Sequence, residues 1–229
     1  MEDIKTLDSI GRECATDKAS SYELDGKTHR GHGYLDYYEE FLSKFKNERF
    51  TLVELGCASG ASIKMWRKYF PFANIIGVDL SEVPRDVSEI NDFTFVRSNV
   101  TSEELPEILL SRAHYGICCI IDDCSHAWGD MRLSFEKLFP ILQKGGYYIV
   151  EDLEGTATGV FDGYMPKVLD SQPFFEYALD RMNILRASKM SNPQTERPLF
   201  DKLPKHIQEI ELSIDMVMVL PGAIVFRKK

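Results

Sequence analysis

The sequence predicts an open, doubly wound α/β sheet, mostly parallel and closed by antiparallel strands. Three observations predict it. Apolar runs of strand length recur through the first two thirds of the chain, and they are continuous, as in strands covered on both faces. Segments with apolar residues three or four positions apart separate them. The closing stretch IQEIELSIDMVMVLPGAIVFRKK holds two apolar runs joined by Pro221-Gly222, a turn dipeptide that suits antiparallel strands.

The elements can be justified in chain order. Residues 1–49 read as a helical cover, in which RGHGYLDYYEEF sets Tyr34, Tyr37, Tyr38 and Phe41 on adjoining faces of a helix. FTLVELG (Phe50–Gly56) is the first core strand. ASIKMWRKYF then aligns Ile63, Trp66 and Phe70 on one helical face. NIIGVDL (Asn74–Leu80), the short FTFVRS (Phe93–Ser98) and YGICCIIDD (Tyr115–Asp123) are the next strands. GDMRLSFEKLFPILQKGG aligns Met131, Phe135, Leu138 and Leu142; Pro140 should kink or break that helix, and Gly145-Gly146 should stop it. GYYIVEDL (Gly146–Leu153) is a further parallel strand. Between Glu154 and His206 the text is irregular and carries Pro166, Pro173, Pro193, Pro198 and Pro204. Ligands of such sheets bind beyond the carboxyl ends of the strands, so this insertion is placed to cover a site. The 229 residues are read as one domain.

Composition narrows the function. With 27 Lys and Arg against 36 Asp and Glu, the formal charge is −9 and no basic stripe appears, which argues against nucleic acid and anionic membrane. No apolar run reaches the ~18 residues of a bilayer span, and the N-terminal text lacks the basic-then-apolar pattern of a signal peptide. Five cysteines, without a CxxC pair, suit a reducing, cytoplasmic compartment. A small-molecule partner is expected.

Two constellations carry chemistry. In VELGCASGAS, a strand runs through a glycine-bearing turn into a helix whose first N–H groups point at a ligand. The dinucleotide fingerprint GxGxxG is absent, and Glu54 stands at the strand end, where a carboxylate suits a cationic amine and repels a pyrophosphate. An amino-acid-bearing nucleoside fits both features. Asp79 ends the next strand, nineteen residues after Gly60, where an acid can hold both ribose hydroxyls. The plain alternatives are a strand–turn–helix joint with glycines for the bend, and an Asp that caps a helix. Glu54, Gly56, Gly60 and Asp79 are the core of the cofactor set, with Ser62, Leu80, Asn99, Asp122 and Tyr34 as further contacts. Thr16, Asp17 and Lys18 form a loop beside it.

The second constellation is IIDDCSHAWGD. Asp122, Asp123 and His126 end one core strand, and Glu151 and Asp152 end the next. Carboxylates that close cannot all stay ionised without a cation, and oxygen donors suit Mg²⁺ or Mn²⁺. Asp123, Glu151 and Asp152 are the expected metal ligands and His126 the expected general base. Alternatively, Asp122 and Asp123 cap the following helix, Glu151-Asp152 is an exposed strand exit, and His126 is an ordinary loop histidine.

At these residues the chain resembles the class I, Rossmann-like S-adenosylmethionine-dependent methyltransferases. It is most similar to the metal-dependent sugar O-methyltransferases of macrolide biosynthesis, such as those acting on mycinamicin and macrocin. The matching text is TDK, HGYLDYYE, VELGCASGAS, GVDLS, DDCSH, SFEKLFPILQKGG and YYIVEDL. The resemblance implies a seven-stranded sheet, and the metal ligands and base named above. It also implies S-adenosylmethionine and Mg²⁺ as cofactors, and transfer of a methyl group to a sugar hydroxyl of a glycosylated natural product. Ala58 stands where the family commonly has a third glycine, and only about fifty residues precede the first core strand, where larger members carry an auxiliary domain. A homo-oligomer is compatible with this pattern. A metal-dependent catechol-type O-methyltransferase offers the same adjacent hydroxyls, and a non-catalytic module binding S-adenosylmethionine or another metabolite is the alternative outside enzymes.

Overall fold

In a computed structural model, residues 5–153, 174–189 and 200–229 are described. The chain forms two compact units, Met1–Ile117 and Cys118–Lys229. Seven strands make one mixed sheet, mostly parallel with antiparallel closing strands. That is the class the sequence predicts.

The first unit begins with α1 (Leu7–Glu13), then β1 (Ser21–Leu24), β2 (Lys27–Arg30) and α2 (Tyr34–Leu42). β1 and β2 form a separate antiparallel hairpin, a departure from the all-helical reading of residues 1–49. Its turn is Asp25-Gly26, with φ of +51° and +70°, the two positive angles that favour Asp-Gly in a two-residue hairpin. The sequence carried that signal openly. β3 (Thr51–Leu55), α3 (Ala61–Tyr69), β4 (Asn74–Asp79), α4 (Arg85–Ser88), β5 (Phe93–Arg97) and α5 (Leu105–Arg112) follow. The strand order is β5-β4-β3, all parallel, with Thr51 opposite Asn74 and Ile75 opposite Phe93. Every residue of β3 is buried, as its unbroken apolar text requires, whereas β5 buries only Val96 fully. α1 packs against α2 and α3.

The second unit opens with β6 (Ile117–Asp122), then α6 (Trp128–Leu138) and β7 (Tyr147–Val150). α6 stops at Leu138 and a 3₁₀ turn, Phe139–Ile141, contains Pro140, so the expected break falls where proline removes the helical hydrogen bond. α7 (Phe174–Lys189) and α8 (Lys205–Ser213) precede β8 (Ile214–Leu220) and β9 (Ala223–Lys228). The order is β6-β7-β9-β8, with β6 and β7 parallel and β9 antiparallel to both neighbours.

Two expectations are corrected here. The stretch 154–206 is not wholly irregular: α7 is a regular helix that buries Phe174, Tyr177, Ala178 and Arg181 at helical spacing and packs on α6 and α8. The prolines misled the reading, because Pro173 only precedes the first turn and Pro204 stands at the N-cap of α8. The text IQEIELS is helical too, and the first closing strand starts only at Ile214. Residues 154–173 and 190–199 of the insertion lie outside the described residues. An aromatic core binds the unit, with Phe135 at 4.4 Å from Phe226 and edge-on to Tyr148 at 5.2 Å between ring centres. Among the described residues no helix is long and apolar enough to cross a membrane.

Candidate active site

In the first unit the site is built at the exit of β3. Gly60 sits at φ +74° and opens α3, and a Cβ there would lie 2.4 Å from Val87 Cγ2, so both conformation and space select glycine. Ala58 also lies at positive φ, +40°, which explains why glycine is the easier residue at that point of the loop. No side chain caps α3, so its first turn keeps N–H groups for a ligand. Asp79 does not cap a helix. Its Oδ2 accepts from the backbone N–H of Cys57 (2.8 Å) and Ala58 (3.2 Å), and its Oδ1 from that of Ser81 (2.8 Å). The acid thus holds the glycine loop to the end of β4.

Glu54 is fully buried, 0% exposed, and its Oε1 lies 3.6 Å from the Nζ of Lys18, itself 1% exposed. Ser62 is buried in the first turn of α3, and Leu80 projects from the end of β4 at 63% exposure. Asn99 is exposed, and its Oδ1 accepts from the N–H (3.0 Å) and hydroxyl (2.9 Å) of Thr101. Tyr34 is buried and stacked between His32 (5.2 Å) and Tyr38 (5.9 Å), so packing accounts for it and for Tyr38, while Tyr37 is exposed.

In the second unit, register builds the site. β6 and β7 are parallel with Asp122 opposite Val150, and the Glu151 N–H donates to the Asp122 carbonyl at 3.0 Å. The two acidic pairs therefore leave the sheet at one level. Their side chains then part. Asp122 is buried and accepts from the Ser134 hydroxyl, from Tyr148 Oη (3.0 Å) and from the Cys124 thiol (3.2 Å). Burial pushes its pKa up to about 6, against the opposing pull of those three bonds and of His126. Asp122 is thus an internal acceptor of this unit, and the cap position of α6 falls to Ala127.

Asp123, His126 and Asp152 converge, each offering an atom within 4.8 Å of the others, all half-buried. His126 Nε2 lies 3.9 Å from Asp152 Oδ2. Glu151, 1% exposed, does not join this group. The sequence places His126 among these strand-end groups as the expected base, and the geometry sets it beside the two carboxylates. Ser125, His126 and Asp152 stand at φ of +51°, +50° and +55°, and such conformations cost non-glycine residues ~1–2 kcal/mol each. Two carboxylates and an imidazole, partly open to solvent, fit a hard divalent cation that keeps positions for water or substrate oxygens.

No protein-family model matches the chain. Among curated proteins it is 33% identical over 155 residues to the L-olivosyl-oleandolide 3-O-methyltransferase of Streptomyces antibioticus, covering 64% of this chain and 38% of that one. It is 29% identical over 129 residues to the mycinamicin VI 2''-O-methyltransferase of Micromonospora griseorubida, covering 53% of this chain and 32% of that one. The alignments thus span about a third of each relative's length. Among solved structures, the MycE methyltransferase of the mycinamycin biosynthetic pathway, in complex with Mg and SAH, superposes with a TM-score of 0.75. It covers 98% of this chain and 54% of that one at 20% identity. The resemblance carried by the motifs is borne out: the chain has the Rossmann-like methyltransferase fold and its sequence relatives are sugar O-methyltransferases of macrolide and polyketide tailoring.

Proposed function

We propose that the chain is an S-adenosylmethionine-dependent, Mg²⁺-assisted O-methyltransferase acting on a sugar hydroxyl of a glycosylated small molecule. The observation that carries this is the meeting of Asp123, His126 and Asp152 beyond the parallel ends of β6 and β7. The matched MycE structures hold Mg and SAH, one of them with mycinamycin VI, and the sequence relatives are named for transfer to sugar hydroxyls. The five free cysteines suit a reducing, cytoplasmic setting.

In this scheme the glycine loop and the uncapped start of α3 receive the cofactor. Asp79 meets the ribose hydroxyls: three of its roughly four acceptor positions already hold the loop and its own turn, so the pocket is ordered before the ligand arrives. Glu54 meets the ammonium group, Leu80 offers an apolar surface to the base, and Ser62 and Asn99 add polar contacts. Asp123 and Asp152 would hold the cation, with Glu151 immediately before Asp152 in the chain. When bound, the cation lowers the pKa of an acceptor hydroxyl and orients it. His126 takes the hydroxyl proton as the acceptor oxygen takes the methyl group, and Asp152 is placed to stabilise the imidazolium that results.

A second assignment of His126 has an observation behind it. Its grouping with the two carboxylates fits a metal ligand as well as a base. Calorimetry of S-adenosylhomocysteine and of Mn²⁺, with turnover on a glycosylated macrolide diol, tests the whole scheme. Binding of both ligands with methyl transfer supports it. Binding of both with no transfer to sugar or catechol diols favours the non-catalytic module. Failure of the nucleoside to bind rejects the methyltransferase.

A further inference from the structure

We infer that Cys124 is a positioning residue for the candidate metal group: its thiol, seated on the buried Asp122 carboxylate, fixes the turn that carries Asp123 and His126. This rests on the metal assignment proposed above and concerns the second unit alone.

Residues 123–127 cross from the end of β6 to the start of α6 and bring two of the three grouped side chains with them. Two features make that crossing hard to hold. Ser125 and His126 stand at φ of +51° and +50°, and such backbone persists only where its surroundings over-determine it. No side chain caps α6, so the far end of the crossing is not fastened in that way.

Cys124 supplies the hold. Its thiol donates to Asp122 Oδ1 at 3.2 Å. The other oxygen of that carboxylate, Oδ2, accepts from the Ser134 hydroxyl on α6 and from Tyr148 Oη on β7. Asp122 is buried, and its own carbonyl accepts from the Glu151 N–H at 3.0 Å. The carboxylate is thereby fixed in the body of the unit, and the thiol extends that fixed point to the loop. The turn begins at the same residue. The His126 N–H donates to the Cys124 carbonyl at 2.6 Å, which closes three residues with Ser125 at the centre.

This turn decides which nitrogen His126 presents. Nδ1 is buried, and Nε2 lies 3.9 Å from Asp152 Oδ2. A loop released at Cys124 would carry both Asp123 and Nε2 away from Asp152, whereas groups that bind or react need to be held to within about 0.5 Å. The residue type follows too. A thiol or hydroxyl at this position can donate to Oδ1, and an alkyl side chain leaves a buried acceptor without its donor.

The test measures Mn²⁺ affinity by calorimetry, and kcat for transfer to a glycosylated macrolide diol, in the wild type, Cys124→Ala, Cys124→Ser and Tyr148→Phe. Cys124→Ala is expected to weaken Mn²⁺ and to lower kcat by roughly 10-fold each, the lower end for a hydrogen bond to a charged group. Its affinity for S-adenosylhomocysteine should stay within about threefold of the wild type, since the cofactor is assigned to the glycine loop. Cys124→Ser should bring Mn²⁺ affinity and kcat back to within about threefold, because a hydroxyl donates in the same place. Tyr148→Phe removes a bond to Asp122 without touching the loop, so it should lower the urea midpoint and leave Mn²⁺ affinity within about threefold. A Cys124→Ala protein that keeps both properties overturns the inference. So does Cys124→Ser faring no better than Cys124→Ala, or Tyr148→Phe weakening Mn²⁺ as much. If Cys124→Ala does not fold, Cys124→Val fills the thiol's place without a donor and must show the same losses. Where the wild type binds Mn²⁺ without turnover, Mn²⁺ affinity alone decides. A wild type that binds no Mn²⁺ overturns the metal assignment itself, an outcome read before any variant is made.

Discussion

The exit of β3 and the exits of β6 and β7 solve the same geometric problem in opposite ways. Each must turn the chain sharply and present polar atoms beyond a strand. At the first, the largest positive φ angles fall on Gly56 and Gly60, at +87° and +74°, where they cost little, and Asp79 ties the loop down with backbone hydrogen bonds. At the second, the positive angles fall on Ser125, His126 and Asp152, two of which belong to the candidate metal group. A loop that binds through its backbone can use glycine. A loop that binds through side chains cannot, so it carries the strain. The positive angles of the second unit thus coincide with the candidate metal group, above the packed β6–α6–β7 core.

The largest effect that would break this contrast is expected at His126. His126→Ala should lower turnover by roughly 10²–10⁴-fold while S-adenosylhomocysteine binding stays within about threefold. Mn²⁺ titration decides its role: affinity kept means base, affinity lost with turnover means ligand. Chelation with EDTA should likewise abolish transfer, and added Mg²⁺ should restore it; activity that survives chelation removes the metal from the scheme.

A smaller loss is expected at the glycine loop. Gly60→Ala should destabilise the protein by about 2 kcal/mol, from the left-handed backbone and the contact with Val87, as read by urea unfolding. Asp79→Ala should weaken S-adenosylhomocysteine roughly 10- to 100-fold and leave Mn²⁺ affinity unchanged. An equal loss of both ligands would end the assignment of separate duties to the two regions.

Asp122 has a signature in pH. Its folded pKa is about 6, above the 3.8 of an unperturbed carboxyl, so the folded chain holds a proton that the unfolded chain has already released between those values. Stability should therefore fall as pH rises from about 4 to 6, by up to roughly 3 kcal/mol from this group. Asp122→Asn should flatten that slope in urea unfolding at pH 4, 5, 6 and 7. The smallest effect sharpens the contrast most directly. Ser125→Gly should stabilise by about 0.5–1 kcal/mol with Mn²⁺ affinity unchanged, because Ser125 bears the strain without being in the group. No gain in the unfolding midpoint would show that the backbone there is relaxed.

The sequence by itself determined the parallel strands, the proline break after α6, the Pro221-Gly222 closure and the turn at Gly56–Gly60. These depend on local rules: unbroken apolar runs, helical spacing, and glycine where φ is positive. It also placed Asp123, His126 and Asp152 at neighbouring strand ends, since register follows once the strands are known. Local rules applied incompletely explain the missed hairpin at Asp25-Gly26 and the missed helix α7, where five prolines outweighed a clear spacing of Phe174, Tyr177 and Ala178. What only the tertiary structure decided is the direction in which each charged side chain turns. Asp122 and Asp123 are adjacent in sequence, yet one is held inside by Ser134, Tyr148 and Cys124 and the other joins His126 and Asp152 in the candidate metal group. Glu54 meets Lys18 across thirty-six residues of chain. Such pairings depend on burial and on partners distant in sequence, because a charge taken out of water must find its counterpart wherever the fold supplies one.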